Sequence, residues 1–104
     1  MSEQRTVNVG PCSLSNVKPL TIIAGPCQLE TREHALEMAG ALKALGDKLN
    51  IGIIYKTSYD KANRTSVSGV RGIGLEDALP IFNEVRDVTG LPVLTDVHEA
   101  AHCA

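Results

Sequence analysis

The 104-residue sequence has no tryptophan, two tyrosines and one phenylalanine, so aromatic residues make up only 3% of it. Stacking platforms for single-stranded nucleic acid depend on such side chains. A formal net charge of −2 supplies no general attraction to a phosphate backbone or an anionic membrane surface. No nucleic-acid partner is expected, and any anion site has to be local. Long hydrophobic runs are missing too. The greasiest stretches, around Leu20–Ala24 and Ile51–Tyr55, fall far short of the ~20 residues a membrane-spanning helix needs. Met1-Ser2-Glu3-Gln4-Arg5 is not followed by the apolar stretch of a signal peptide. No membrane partner is expected. The three cysteines, Cys12, Cys27 and Cys103, are odd in number and widely spaced, which is not a disulfide framework. A reducing cytoplasm is the expected location.

What is present fits one small domain, with 43% hydrophobic and 21% charged residues. Residues 1–19 read as an N-terminal arm or short hairpin, with weak alternation over Thr6–Val9 and a break at Gly10-Pro11. Leu20-Thr21-Ile22-Ile23-Ala24 is a compact apolar run ended by Gly25-Pro26, which predicts a buried strand. Thr31 is placed to cap a helix with Glu33 in its first turn, near the positive end of the helix dipole. Ala35, Met38, Ala39, Leu42, Leu45 and Leu49 follow at helical spacing and predict one apolar stripe.

Ile51–Lys56 predicts a second strand, apolar and β-branched without clean alternation, as in a parallel sheet covered by helices. Leu75, Ala78, Leu79, Phe82 and Val85 mark one side of a second helix, with Pro80 expected in or near its first turn and Gly90 as its stop. Leu91–Val97 predicts a third strand, and His98–Ala104 the opening of a third helix.

The order β-α-β-α-β-(α) is the α/β signature. Three parallel strands with two helices leave an edge or a face uncovered. The expected architecture over residues 20–104 is therefore the first three βα units of a truncated TIM (β/α)8 barrel, a fold that needs eight units and about 250 residues.

Chemistry in such folds sits at the carboxyl ends of strands and on the loops that follow. The loop from Thr57 to Gly74 is far longer than the usual ~2–6 residues. Together with Lys56 it gathers Lys56, Lys61, Arg64 and Arg71 against Asp60, with Asn63, Thr65, Ser66 and Ser68 as neutral donors. Such a cluster binds phosphate or carboxylate through charge-assisted hydrogen bonds. On charge alone, a solvated basic loop is an equal alternative. Cys27, right after strand one, could ligate a soft metal or act as a nucleophile, but a lone cysteine is more often an inert, packed thiol. Asp96 and His98 close strand three two residues apart, on one face, where Asp96 could orient a lysine, accept from a substrate hydroxyl, or simply cap the next helix. His98-Glu99-Ala100-Ala101-His102 fits the zinc-protease pattern H-E-x-x-H, but it starts directly after a strand with no sequence left for a third ligand, and reads as a coincidence.

Four segments in this order resemble the 3-deoxy-8-phosphooctulonate synthase family: Ile23-Ala24-Gly25-Pro26-Cys27, Tyr55 to Thr65 with its Lys61-Ala62-Asn63-Arg64 core, Arg71-Gly72-Ile73-Gly74-Leu75, and Leu94-Thr95-Asp96-Val97-His98-Glu99. The likeness spans about residues 20–102. The related 3-deoxy-7-phosphoheptulonate synthase shares strand one but carries a Lys-Pro-Arg-Thr type segment, and is the alternative within the superfamily. A non-enzymatic phosphosugar-binding remnant is the other alternative.

The resemblance implies a TIM-barrel transferase that joins phosphoenolpyruvate to arabinose 5-phosphate, releases phosphate, and serves lipopolysaccharide synthesis as a homo-oligomer. It implies that Lys56 and Lys61 hold phosphoenolpyruvate and the aldehyde end of the sugar. Asn63, Arg64 and Thr65 would grip the sugar and its phosphate, and Asp96 would lie near the reacting centre. Thr65 stands where serine is usual. A cysteine at the position of Cys27 implies the class needing a divalent metal such as zinc, manganese or iron. The family's other metal ligands find no match in these 104 residues, so the expectation is a chain inactive by itself.

Overall fold

The computed structural model describes residues 5–59 and 74–103. The arm is a hairpin. β1 (Val7–Val9) pairs antiparallel with β2 (Cys12–Leu14), with Val9 opposite Cys12 across the Gly10-Pro11 turn. Gly10 takes φ +54°, the left-handed region that side chains avoid and a tight hairpin turn requires.

β3 (Thr21–Ala24), β4 (Gly52–Lys56) and β5 (Val93–Leu94) form a parallel sheet in sequence order, β3-β4-β5. α1 (Arg32–Leu49) connects the first pair and α2 (Leu75–Thr89) precedes the last strand. The α/β class and the parallel βα units agree with the sequence reading. The three-stranded sheet is open rather than a closed barrel.

Each helix has local reasons to start and stop. The Thr31 hydroxyl accepts from the His34 N–H at 3.0 Å, satisfying a donor that the first turn leaves without a partner. α1 ends at Asn50 in the left-handed conformation (φ 56°), whose N–H donates to the Gly46 carbonyl. Gly90 does the same for α2, at φ 75°, donating to the Arg86 carbonyl.

Both helices lie on one face of the sheet. Period-two alternation sends Ile53 and Tyr55 of β4 toward them, into a core with Leu29, Ala35, Ala39, Ala78, Phe82, Val85 and Leu91. Burial raises the Tyr55 phenol to about 12, as expected for an acid whose charged form loses water. Outside the core, Arg32 of α1 forms a two-pronged ion pair with Glu84 of α2, its Nε donating to Oε2 at 2.6 Å.

Five local expectations are corrected. The α1 stripe runs out before its end: Leu45 and Leu49 are half exposed, while Gly46 is buried with Ile53 beneath it. Pro80 is the sixth residue of α2, a turn deeper than expected. Its missing N–H falls on an exposed face, where water can serve the carbonyl left free. Likewise Leu79 is exposed rather than core. The third strand shrinks to Val93–Leu94, and the segment read as a third helix holds a single 3₁₀ turn, Ala100–Cys103.

Candidate active site

The carboxyl end of the sheet is held by a ladder that outlasts the strands. Gly25 passes so close to β4 that a Cβ there would sit 1.9 Å from the Lys56 carbonyl oxygen. Only glycine fits, and the approach lets the following loop pair with the end of β4. The Ser58 N–H donates to the Cys27 carbonyl at 3.3 Å, and the Leu29 N–H donates to the Ser58 carbonyl at 2.8 Å. On the other side, the Thr57 N–H donates to the Leu94 carbonyl at 3.3 Å. Three loops thereby meet at residues 56–58.

Register places the side chains. Lys56 pairs with Leu94, so both occupy the face turned away from the helices. Two residues further along each chain, Ser58 and Asp96 follow on that face. Asp96 lies within the electrostatic reach of Lys56. Burial pushes the Asp96 carboxyl up, but the Ser58 hydroxyl dipole, its own backbone, Lys56 and His98 outweigh this and hold it below the usual carboxylate range. The Ser58 hydroxyl makes no formed hydrogen bond, so toward Asp96 it acts as a nearby dipole. His98 Nε2 stands 3.6 Å from Asp96 Oδ2, so the i, i+2 pair does share one place.

The rim also holds polar groups waiting for partners. Thr57 and Ser58 are 0% and 2% exposed, and neither hydroxyl is hydrogen-bonded; the Gln28 amide nitrogen is in the same condition. Buried donors without partners are costly, on the order of 1–3 kcal/mol each. Sequence reading missed Thr57, Ser58 and Gln28. The signal available was the polar Thr57-Ser58 pair following an apolar strand.

Of the residues predicted from sequence, the structure brings Lys56, Asp96 and His98 together and sets the Cys27 backbone against Ser58. Lys61, Asn63, Arg64 and Thr65 lie outside the described residues. Cys27 is free and exposed. Among the described residues, no three His, Cys, Asp or Glu side chains converge as a metal ion requires, and a single thiolate does not hold a catalytic metal. The H-E-x-x-H residues are not on an α-helix. His98 and His102 instead flank the ring of Tyr59, at 6.2 Å and 5.3 Å between centroids. No helix among the described residues is long and apolar enough to cross a membrane.

In open α/β sheets, ligands bind at the carboxyl ends of the strands. The sequence profile described as the DAHP synthetase I family matches residues 14–104. The chain belongs to the DAHP synthetase I family. Within it, the chain is 61% identical over 104 residues to a Nitrobacter winogradskyi protein named 2-dehydro-3-deoxyphosphooctonate aldolase, covering 100% of this chain and 36% of that protein. A Caulobacter vibrioides protein of the same name is 61% identical over 102 residues, 98% of this chain and 36% of its own length. One from Rhodopseudomonas palustris is 64% identical over 98 residues, 94% and 34% respectively. The chain thus spans about a third of the length of the curated relatives it matches.

Proposed function

We propose that this chain contributes the phosphoenolpyruvate-binding rim of a 3-deoxy-8-phosphooctulonate synthase, which condenses phosphoenolpyruvate with arabinose 5-phosphate and releases inorganic phosphate. The observation that carries the reading is the placement of Lys56, Asp96 and the buried, unpartnered Ser58 hydroxyl on one face at the carboxyl end of a parallel sheet. The names of the relatives favour this synthase over its seven-carbon counterpart.

In this proposal the Lys56 ammonium pairs with a carboxylate or phosphate oxygen of phosphoenolpyruvate. Asp96 stays charged across the neutral range and accepts from a hydroxyl of the sugar or steadies Lys56. Ser58 gives a short, fixed donor that replaces water on an anionic oxygen as it enters. Lys61 is assigned to the same anion, and Asn63, Arg64 and Thr65 to the sugar phosphate, on the strength of the sequence resemblance. Cys27, free and exposed at the rim, is proposed as one ligand of a divalent ion. Such an ion, when bound, would polarise the aldehyde as a Lewis acid. Assembly as a homo-oligomer belongs to the same proposal.

Isothermal titration of the 104-residue chain with phosphoenolpyruvate tests the reading. Saturable binding that weakens in Lys56→Met supports it. Absence of heat up to roughly 10 mM ligand, a free energy of only about −3 kcal/mol, would reject it.

A further inference from the structure

The segment that carries Asp96 and His98 has little of its own to hold it. β5 ends at Leu94, and its last ladder bond is the one from the Thr57 N–H to the Leu94 carbonyl. Beyond that point the chain runs through Thr95, Asp96, Val97 and His98 outside any strand. The next fixed point is His102. Its ring Nδ1 is hydrogen-bonded to the hydroxyl of Tyr59, a residue 43 positions away in sequence. Tyr59 follows directly on the end of β4 and is 2% exposed.

Three features make this contact more than a buried phenol finding a partner. The first is its geometry. The His102 ring meets the Tyr59 ring edge-on, at 5.3 Å and 67°, while the His98 ring packs on the same tyrosine at 6.2 Å and 43°. One side chain therefore bears on both histidines. The second is the tautomer. Glu99 Oε2 lies 3.8 Å from His102 Nε2, which favours a proton on that nitrogen and leaves Nδ1 to accept from the phenol. The third is local closure. The His102 N–H donates to the Glu99 carbonyl at 3.1 Å, so the turn moves with His102 as a unit. The free stretch from Thr95 onward is thus pinned at both ends to the same strand, by Thr57 at one end and Tyr59 at the other.

We propose that Tyr59 and His102 are positioning residues: their hydrogen bond straps the loop after β5 to the end of β4 and so holds His98 against Asp96 and Asp96 opposite Lys56. The purpose of this positioning rests on the proposed use of the rim for phosphorylated substrates, whereas the strap itself does not. The pattern also gives the H-E-x-x-H residues a use that needs no metal: the spacing brings both histidines onto one tyrosine that follows the neighbouring strand.

The test needs no ligand, so its failure is distinct from a failure of the substrate assignment. The Asp96 side-chain carbon is followed through a pH titration by ¹³C NMR in the 104-residue chain, for wild type, Tyr59→Phe, His102→Leu and His102→Asn. Among the described residues, the groups facing Asp96 are Lys56, His98 and Ser58, and those facing His102 are Tyr59 and Glu99. With the strap cut, His98 and Lys56 drift from Asp96, and its carboxyl titrates higher by about half a pH unit in Tyr59→Phe and His102→Leu. Asparagine keeps an acceptor near the Nδ1 position, so His102→Asn returns the titration to the wild-type value. The double variant Tyr59→Phe/His102→Leu moves Asp96 no further than either single change. A merely structural pair would lower the thermal midpoint and leave the Asp96 titration where it was. That result, or equal shifts in the leucine and asparagine variants, overturns the proposal.

Discussion

The two ends of the sheet use small residues for opposite purposes. At the amino end, the hairpin closes the strands by packing. Cys12 is buried with its thiol 3.8 Å from the Ile53 carbonyl, Gly10 rests on Pro92, and a Cβ on Gly52 would meet Thr21 and Cys12 at 3.1–3.2 Å. A cavity of about 170 Å³ remains there, between the hairpin, α1 and Pro92, with only the Lys43–Asp47 ion pair for charge. At the carboxyl end, Gly25 is tighter still, and the groups gathered near it are the unpartnered Ser58 hydroxyl, Lys56, Asp96 and His98. Among the described residues, the unpaired polar side chains include Gln28, Thr57 and Ser58 at the carboxyl end; the proposed function assigns recognition to that end and leaves stability to the hairpin end.

The sharpest way to break this division is at Gly25. Gly25→Ala drives a methyl into backbone that cannot rotate away, and it should cost about 2–3 kcal/mol in urea unfolding. It would show that the upper end also carries stability, at the one position where close approach is needed. Lys56→Met should do the reverse. The stem is kept, the unfolding midpoint stays nearly constant, and phosphoenolpyruvate affinity falls about tenfold or more by calorimetry, some 1.4 kcal/mol. Cys12→Ala is the mirror experiment at the lower end: about 1 kcal/mol of stability lost, ligand affinity unchanged.

The smallest effects are in pH dependence. Asp96 is held below its ordinary value of 3.8, so its contribution to stability is present above that pH and disappears as pH falls through the lowered folded value. The Glu84 carboxyl, lowered by its hydrogen bond to Arg32, behaves in the same sense. Denaturation followed from pH 6 down to about pH 2 should show a shallower acid loss in Asp96→Asn and in Glu84→Gln than in wild type. Added salt should shrink the Glu84 effect more, because that pair is exposed.

Much of the fold was legible because local and global preferences agree. Thr31 caps, Gly90 stops, and Ile51 to Lys56 reads as a strand covered by helices. What sequence could not show depends on partners distant along the chain. Leu45 and Leu49 have the helical spacing of core residues, but nothing in that spacing reveals that Gly46 is the residue turned onto Ile53. Leu91 to Val97 has strand composition throughout, yet β4 offers it only Tyr55 and Lys56 as partners, so pairing stops at Leu94.

At the site, Lys56, Asp96 and His98 were visible as charged residues at strand ends. Thr57, Ser58 and Tyr59 were not, because a hydroxyl becomes informative only when burial leaves it without water. Tyr59 in particular looks like one aromatic in a polar loop until His98 and His102 both pack on its ring.

Whether recognition belongs to the carboxyl end is decided by mapping amide NMR shifts in the 104-residue chain during titration with phosphoenolpyruvate. The account predicts that Lys56, Thr57, Ser58, Asp96 and His98 respond together and saturate with one affinity. Responses centred on Cys12, Gly46 and Pro92 at the opposite end would contradict it.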